Sequence, residues 1–258
     1  MAAPLPDVAG PIALTDRVVV GWGGSSAAVT IGSGSRRNAL RREDWTAIRA
    51  AFALVAARPG VRAVTVRGRG GHFCSGSDLT SWADADQAAV HATFTDMEAA
   101  FEAVEACPVP VVAVVEGAAA GAGCQLALAC DLRVLAEDST VGMPTAALGI
   151  RPSPAFAARL VALVGAGRAR ELLYTGRMVP AAEAARCGLA EQVVASGELD
   201  RAVTALLETI AARPPEVIAA TKDVVRGLLP VGAAAVRAGG APTVVHPVMQ
   251  AALRRYAR

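Results

Sequence analysis

The chain has 258 residues and a formal charge of only +2; alanine and valine, not aromatics (4%), carry its apolar fraction of 53%. That length supports one large domain with a sizeable core, and the balanced charge excludes a strong pull toward nucleic acid or a membrane surface. Mean hydropathy is high at +0.41. However, the most apolar stretch, 109–136, is interrupted by Glu116, Asp131 and Arg133, and its charge-free part, 117–130, falls short of the about 20 residues that a spanning helix needs.

Residues 1–10 are proline-rich and lack a basic region followed by an apolar run, so they do not read as a signal peptide. Short apolar runs at 17–21 and 27–31, separated by glycine and serine, predict a hairpin. From Glu43 the pattern changes: Trp45, Ile48, Phe52 and Val55 recur at steps of three and four, the stripe of a helix that Pro59-Gly60 ends. A short buried strand at 63–66 leads into a glycine-rich loop, 68–76. Phe94, Met97, Phe101 and Val104 mark a second, longer helix. Residues 111–115 form a β-branched run suited to a strand buried on both faces. A glycine–alanine turn at 117–123, a helix at 124–130 and a strand at 132–135 follow.

Strand–loop–helix units thus repeat, with strands that suit parallel pairing. Beyond about Ser196 the pattern turns helical, with candidates at 199–212, 216–229 and 244–256 and a break at 239–242. The chain therefore divides into an α/β core over 1–195 and a helical C-terminal region over 196–258.

The five cysteines, Cys74, Cys107, Cys124, Cys130 and Cys187, are odd in number and contain no C-x-x-C pair, which reads as reduced thiols in a cytoplasmic protein. His72, His91 and His246 are scattered, and no metal site is suggested. Two loops stand out. One is His72-Phe73-Cys74-Ser75-Gly76-Ser77-Asp78-Leu79; the other is Glu116 followed by Gly117-Ala118-Ala119-Ala120-Gly121-Ala122-Gly123-Cys124-Gln125. Glycines between a strand and a helix let the backbone turn tightly and leave amides outward. Two such loops can aim two N–H donors at one oxygen, as in an oxyanion hole. Tight packing of strand on helix explains the same glycines, and a phosphate cradle would want a Gly-Lys-Ser/Thr that is absent.

The block 108–194 is similar along its length to the central block of the crotonase (enoyl-CoA hydratase/isomerase) superfamily. The resemblance rests on Pro110-Val111-Val112-Ala113, the second loop, Leu128-Ala129-Cys130-Asp131-Leu132-Arg133, Leu148-Gly149-Ile150 and Thr175-Gly176-Arg177. Arg37-Asn38-Ala39-Leu40 and Phe73-Cys74-Ser75-Gly76-Ser77-Asp78-Leu79 match two further motifs in the right order, and the likeness covers roughly residues 15–230. It implies a spiral of repeated ββα units with a helical C-terminal region, usually assembled as a homotrimer or a dimer of trimers. It implies an acyl-CoA thioester as ligand, with coenzyme A entering as part of the substrate and no separate cofactor. By motif alignment the paired backbone amides of the oxyanion hole fall on Ser77 and Ala122. Coenzyme A contacts fall on Arg37, Ala39, Gly76, Asp78, Leu79, Thr80, Gly121 and Lys222, although Thr80 stands where many relatives have lysine.

The sequence departs from the hydratase pattern at two positions. Where hydratases of the superfamily carry two glutamates, this chain has Gln125 and, after Met143-Pro144, Thr145. Neither exchanges a proton readily near neutral pH. Asp78, Glu116, Asp138, His72 and Cys124 are the other nearby groups, and Asp131 with Arg133 reads as a structural pair. Three functions stay open: a hydratase, isomerase or lyase with non-standard proton-transfer groups, a non-catalytic acyl-CoA-binding protein, and a decarboxylase or thioester hydrolase. A carboxylate or histidine in the pocket would favour catalysis.

Overall fold

The structure, a computed structural model, describes residues 10–82, 85–228 and 246–256. The predicted hairpin is present as β2 (Val18–Gly23) and β3 (Ser26–Ile31), with a short strand β1 (Ile12–Ala13) added antiparallel to β2. From β3 onward the large sheet is parallel. It continues through β4 (Ala63–Gly68), β5 (Val111–Val115), β7 (Leu132–Ala136) and β10 (Gln192–Val194), giving the order β1-β2-β3-β4-β5-β7-β10. A second sheet orders β6 (Ala118–Ala120), β8 (Thr140–Gly142) and β9 (Met178–Pro180).

The two sheets grow together. β5 goes to the large sheet and β6 to the small one before helix α3 (Ala122–Ala129); β7 and β8 repeat this before α4 (Pro154–Thr175). Earlier turns do the same with single parallel bridges in place of a second strand. β3 is followed by Leu40, bridged to Ser77, and α1 (Arg42–Ala57); β4 is followed by Cys74, bridged to Ala119, and α2 (Gln87–Glu105). This is the ββα spiral that the resemblance implied.

Helix α1 forms where the stripe predicted it, burying Trp45, Ile48, Phe52 and Val55, and α2 buries Phe94, Met97, Phe101 and Val104. Asp86 caps α2 by accepting from the Ala89 amide at 2.7 Å, which satisfies one of the donors that a helix start leaves free. In β5 the two faces separate cleanly. Val111, Ala113 and Val115 join the main core, whereas Val112 and Val114 pack with Val134, Ala136, Leu199 and Val203. The last two belong to α6 (Leu199–Ala211), so the C-terminal helices begin by covering the sheet's second face. Helices α7 (Pro215–Leu228) and α8 (His246–Tyr256) match the other two helical candidates. The break expected at 239–242 lies outside the described residues. Among the described residues no helix is long and apolar enough to cross a membrane.

Two readings need correction. Residues 117–123 are not simply a turn, because 118–120 pair with β8 as a strand and α3 starts at Ala122. Small side chains hid that strand: Ala118–Ala120 lacks the branched bulk that marks strands in a sequence. Asp131 and Arg133 do not pair with each other. Asp131 accepts from Lys222 at 2.6 Å and from the Val111 amide at 2.7 Å, and Arg133 bonds Glu191. Asp131 stands exposed just before β7, whereas Arg133 is buried within it and also donates to the Leu189 and Cys130 carbonyls. Helix α5 (Ala181–Cys187) follows α4, which is kinked at Gly165 (φ 74°).

The contact that fixes this arrangement is very close. A Cβ at Gly123 would lie 2.1 Å from the Cys74 carbonyl oxygen. Gly123→Ala is therefore expected to lower unfolding stability by about 3 kcal/mol or more, since overpacked backbone cannot relax cheaply. Gly167→Ala, in open space on α4, is expected to be neutral or to gain up to about 1 kcal/mol. Denaturant midpoints of the two variants check both.

Candidate active site

The first loop is built around residues 36–38. Arg36, Arg37 and Asn38 all have left-handed φ (48°, 50° and 58°), a conformation costing about 1–2 kcal/mol for each non-glycine residue. Asn38 holds it in place. Fully buried, it accepts from the Gly34 amide at 2.8 Å and donates to the carbonyls of Arg69 (2.8 Å) and His72 (2.6 Å). The Ser75 amide donates to the Arg37 carbonyl, and the Ser75 hydroxyl to the Arg36 carbonyl, both at 2.9 Å. Leu40 then donates to the Gly76 carbonyl and accepts from the Asp78 amide, each at 2.8 Å. Ser77 sits between these two bonds, and its own amide has no acceptor among the described residues. Its hydroxyl is turned into the core, accepting from Trp45 Nε1 at 3.2 Å and donating to Met97 Sδ at 3.0 Å.

The second loop meets it directly. Gly76 has φ 100°, and a Cβ there would lie 3.0 Å from both the Ala120 oxygen and the Ala122 nitrogen. Ala122 is the first residue of α3, so its amide has no carbonyl one turn earlier to bond. Two backbone donors without partners therefore stand on abutting segments, and Ser77 and Ala122 both line one cavity of about 290 Å³. Its apolar wall includes Leu79, Trp82, Phe94, Met97, Met143 and Ile150.

Gln125 and Thr145 line this cavity and are buried. Gln125 Oε1 is shielded from solvent and accepts no hydrogen bond from the described residues, the kind of group that a ligand donor would satisfy. Of the residues assigned to coenzyme A, Ala39, Gly76, Leu79 and Gly121 also line it. Arg37, Asp78, Thr80 and Lys222 do not. Arg37 is exposed and makes no side-chain bond among the described residues. Asp78 and Thr80 face each other and the arginines: Thr80 donates to Asp78 Oδ1 at 2.6 Å, and Arg36 reaches both. Lys222 donates to the Val109 carbonyl at 3.0 Å and to Asp131, in a separate cavity of about 490 Å³. The side chains of Asp78, Thr80 and Lys222 each bond a residue distant in sequence.

The other candidates also lie elsewhere. His72 packs against Gly117, Glu116 pairs with Arg67, and Asp138 accepts from the Ser196 hydroxyl. Burial pushes the thiols of Cys74 and Cys124 up to about 12, so neither is a thiolate at neutral pH.

One residue was missed. Glu98 lines the cavity, and it and Arg151 are the only charged residues among the described ones that do so. The signal was available: 94, 97, 98 and 101 are one helical stripe, and Glu98 is the single carboxylate inside it. Its oxygens accept from the Ser153 hydroxyl at 2.6 Å and from Arg159 at 3.4 Å.

The comparisons with known proteins agree with this architecture. Residues 23–241 match the family model described as enoyl-CoA hydratase/isomerase. The chain belongs to that family. It is 33% identical over 190 residues to a protein of Arabidopsis thaliana named "Probable enoyl-CoA hydratase 2, mitochondrial", the match spanning 73% of this chain but only 63% of that relative's length. It is 32% identical over 203 residues to the peroxisomal Delta(3,5)-Delta(2,4)-dienoyl-CoA isomerase of the same plant, covering 74% of this chain and 73% of the relative. Among solved structures, an enoyl-CoA hydratase from Bacillus anthracis superposes with a TM-score of 0.78 at 30% identity, covering 81% of this chain and 82% of that one. The spiral of ββα units is thus the crotonase fold, and relatives named for two different reactions share it.

Asp78 sits in a cluster with Thr80, Arg36 and Arg17. Burial works to raise the Asp78 carboxyl, but the hydrogen bonds from Thr80 and the charges of Arg36 and Arg17 outweigh it and hold it below its usual value. A carboxyl lowered in the native state stabilises the fold above its unfolded pKa, and that contribution disappears as pH falls through the native pKa. Asp78→Asn is expected to lower stability at neutral pH and to flatten its decline below the ordinary carboxylate range. Thermal unfolding of both proteins across acidic pH checks this.

Proposed function

We propose that this protein binds an acyl-CoA thioester with its carbonyl oxygen between the amides of Ser77 and Ala122 and stabilises the enolate formed from it. The observation that carries the reading is the pair of unpartnered amides on two abutting segments that line one cavity. Removing a proton next to a thioester puts negative charge on its oxygen, and fixed donors in a water-poor site lower that barrier by several kcal/mol. The apolar wall receives the acyl chain. The names of the relatives, hydratase and isomerase, support the same substrate class.

Gln125 and Thr145 separate two outcomes on this scaffold. Hydration by paired carboxylates lacks both of its groups here, so crotonyl-CoA hydration is expected near background. A non-catalytic acyl-CoA carrier is the second reading that these two residues favour, and the charged Glu98 in the cavity opposes it.

Two measurements check the proposal. A conjugated dienoyl-CoA is expected to shift its absorbance to longer wavelength on binding, because donors at the oxygen polarise the whole conjugated system. Ala122→Pro removes one donor at a helix position that tolerates proline; it is expected to weaken the shift and to cost about 10²-fold or more in any enolate-forming rate. An unchanged shift in this variant would sink the assignment of Ala122. The double variant Gln125→Glu/Thr145→Glu is expected to gain crotonyl-CoA hydration, read as loss of the conjugated thioester absorbance.

A further inference from the structure

We infer that Glu98 is the catalytic residue that carries the proton in this site, in place of the two glutamates that the family's hydratases use. The inference rests on the thioester reading above, and it adds the group that reading lacks. Among the described residues lining the cavity, the side chains able to hydrogen-bond are Ser75, Ser77, Gln125, Thr145, Ser153, Trp82, Arg151 and Glu98. Only Glu98 can take up and return a proton under mild conditions. Hydroxyls, an indole, an amide and a guanidinium cannot do so without a partner base.

The surroundings of Glu98 argue against a purely structural ion pair. Arg159 is the cation beside it, but Arg159 already has a fork-on-fork partner in Glu105, at 2.7 and 3.1 Å. Its bond to Glu98 is the long one, at 3.4 Å. One positive charge therefore meets two carboxylates, and the carboxylate left with the weaker bond is the one at the cavity. Burial of Arg159 works to lower its pKa, but Glu105 and Glu98 raise it overall, so it stays charged and fixes the pair. The Ser153 hydroxyl donates to Glu98 Oε1 at 2.6 Å while accepting from the Phe156 amide at 3.1 Å as the cap of α4. That chain of bonds holds the carboxylate in place and leaves acceptor sites for a substrate proton.

One carboxylate with one pair of oxyanion donors fits the relocation of a proton. With a β,γ-unsaturated acyl-CoA, Glu98 removes a proton from the α-carbon. The C–H electron pair forms a new double bond to the carbonyl carbon, and the carbonyl π pair moves onto the oxygen between the Ser77 and Ala122 amides. In the return step that pair re-forms the carbonyl, and the dienolate takes the proton from Glu98 at the γ-carbon. The product is the conjugated α,β-isomer, and Glu98 is a carboxylate again. No water, oxidant or second acid is consumed.

The test uses the full chain with a β,γ-unsaturated acyl-CoA, following conjugated thioester absorbance and deuterium uptake at the α-carbon in heavy water. Dienoyl-CoA binding is followed separately by its absorbance shift. Glu98→Gln keeps acceptor and shape for Ser153 and Arg159; it is expected to keep the binding shift and to lose about 10³-fold in isomerisation and exchange. Glu98→Asp, with the carboxylate set back, is expected to fall between the two. Isomerisation or exchange within about threefold of the unmodified rate in Glu98→Gln overturns the inference. So does an unmodified protein that shifts the dienoyl absorbance but neither isomerises nor exchanges, which leaves the thioester reading standing. Absence of the shift in the unmodified protein overturns the thioester reading itself, and the role of Glu98 falls with it.

Discussion

Leu40 bonds on both sides of Ser77 and so leaves the Ser77 amide without a partner among the described residues. It takes the amide of Asp78 and offers its own amide to the carbonyl of Gly76, each at 2.8 Å. The residue between them in a parallel bridge must point its backbone groups the other way. Everything else in the site depends on this constraint. The strained left-handed turn at 36–38 brings Leu40 into place, and Asn38, buried and bonded at both ends of its amide, keeps the turn from relaxing. A loop that satisfied all of its own backbone groups would leave no donor for a ligand.

The second donor comes from a different source. A helix start always leaves amides free, and α3 begins where Gly76 lets the first loop touch it. Small residues make that touch possible. Gly123 lies against the Cys74 carbonyl and Gly76 against Ala120 and Ala122, and the intervening strand, Ala118–Ala120, is alanine throughout. The alanine-rich composition is thus a packing requirement of a spiral whose successive turns lie close together.

The polar residues near the site divide into those that hold the frame and those that face the cavity. Asp78, Thr80, Arg36 and Arg17 lock the outer side of the first loop. Lys222 and Asp131 tie α7 to the end of α3 and the start of β5. Gln125, Thr145 and Glu98 line the cavity. Gln125 on α3 and Thr145 after Pro144 carry no charge, and the carboxylate at the cavity, Glu98, stands on α2, beside an arginine that Glu105 already holds.

The sequence by itself determined the frame. The stripes at 45–55 and 94–104, the valine runs and the glycines flanking the two loops rest on local periodicity and local steric need, which any stretch of chain reveals. They placed α1, α2, β4, β5 and both loops, and with the motifs they placed Ser77, Ala122, Gln125 and Thr145 in one site. Only the tertiary structure decided which polar side chains belong to that site. The side chains of Asp78, Thr80 and Lys222 bond Arg36, Asp131 and the Val109 carbonyl, partners up to 113 residues away, and do not line the cavity. Glu98 was brought in by the packing of α2 against α3, and strand Ala118–Ala120 was made a strand by β8. Local chemistry fixes which groups a segment offers. Charge pairing and packing between distant segments decide which of those groups are left to face a ligand.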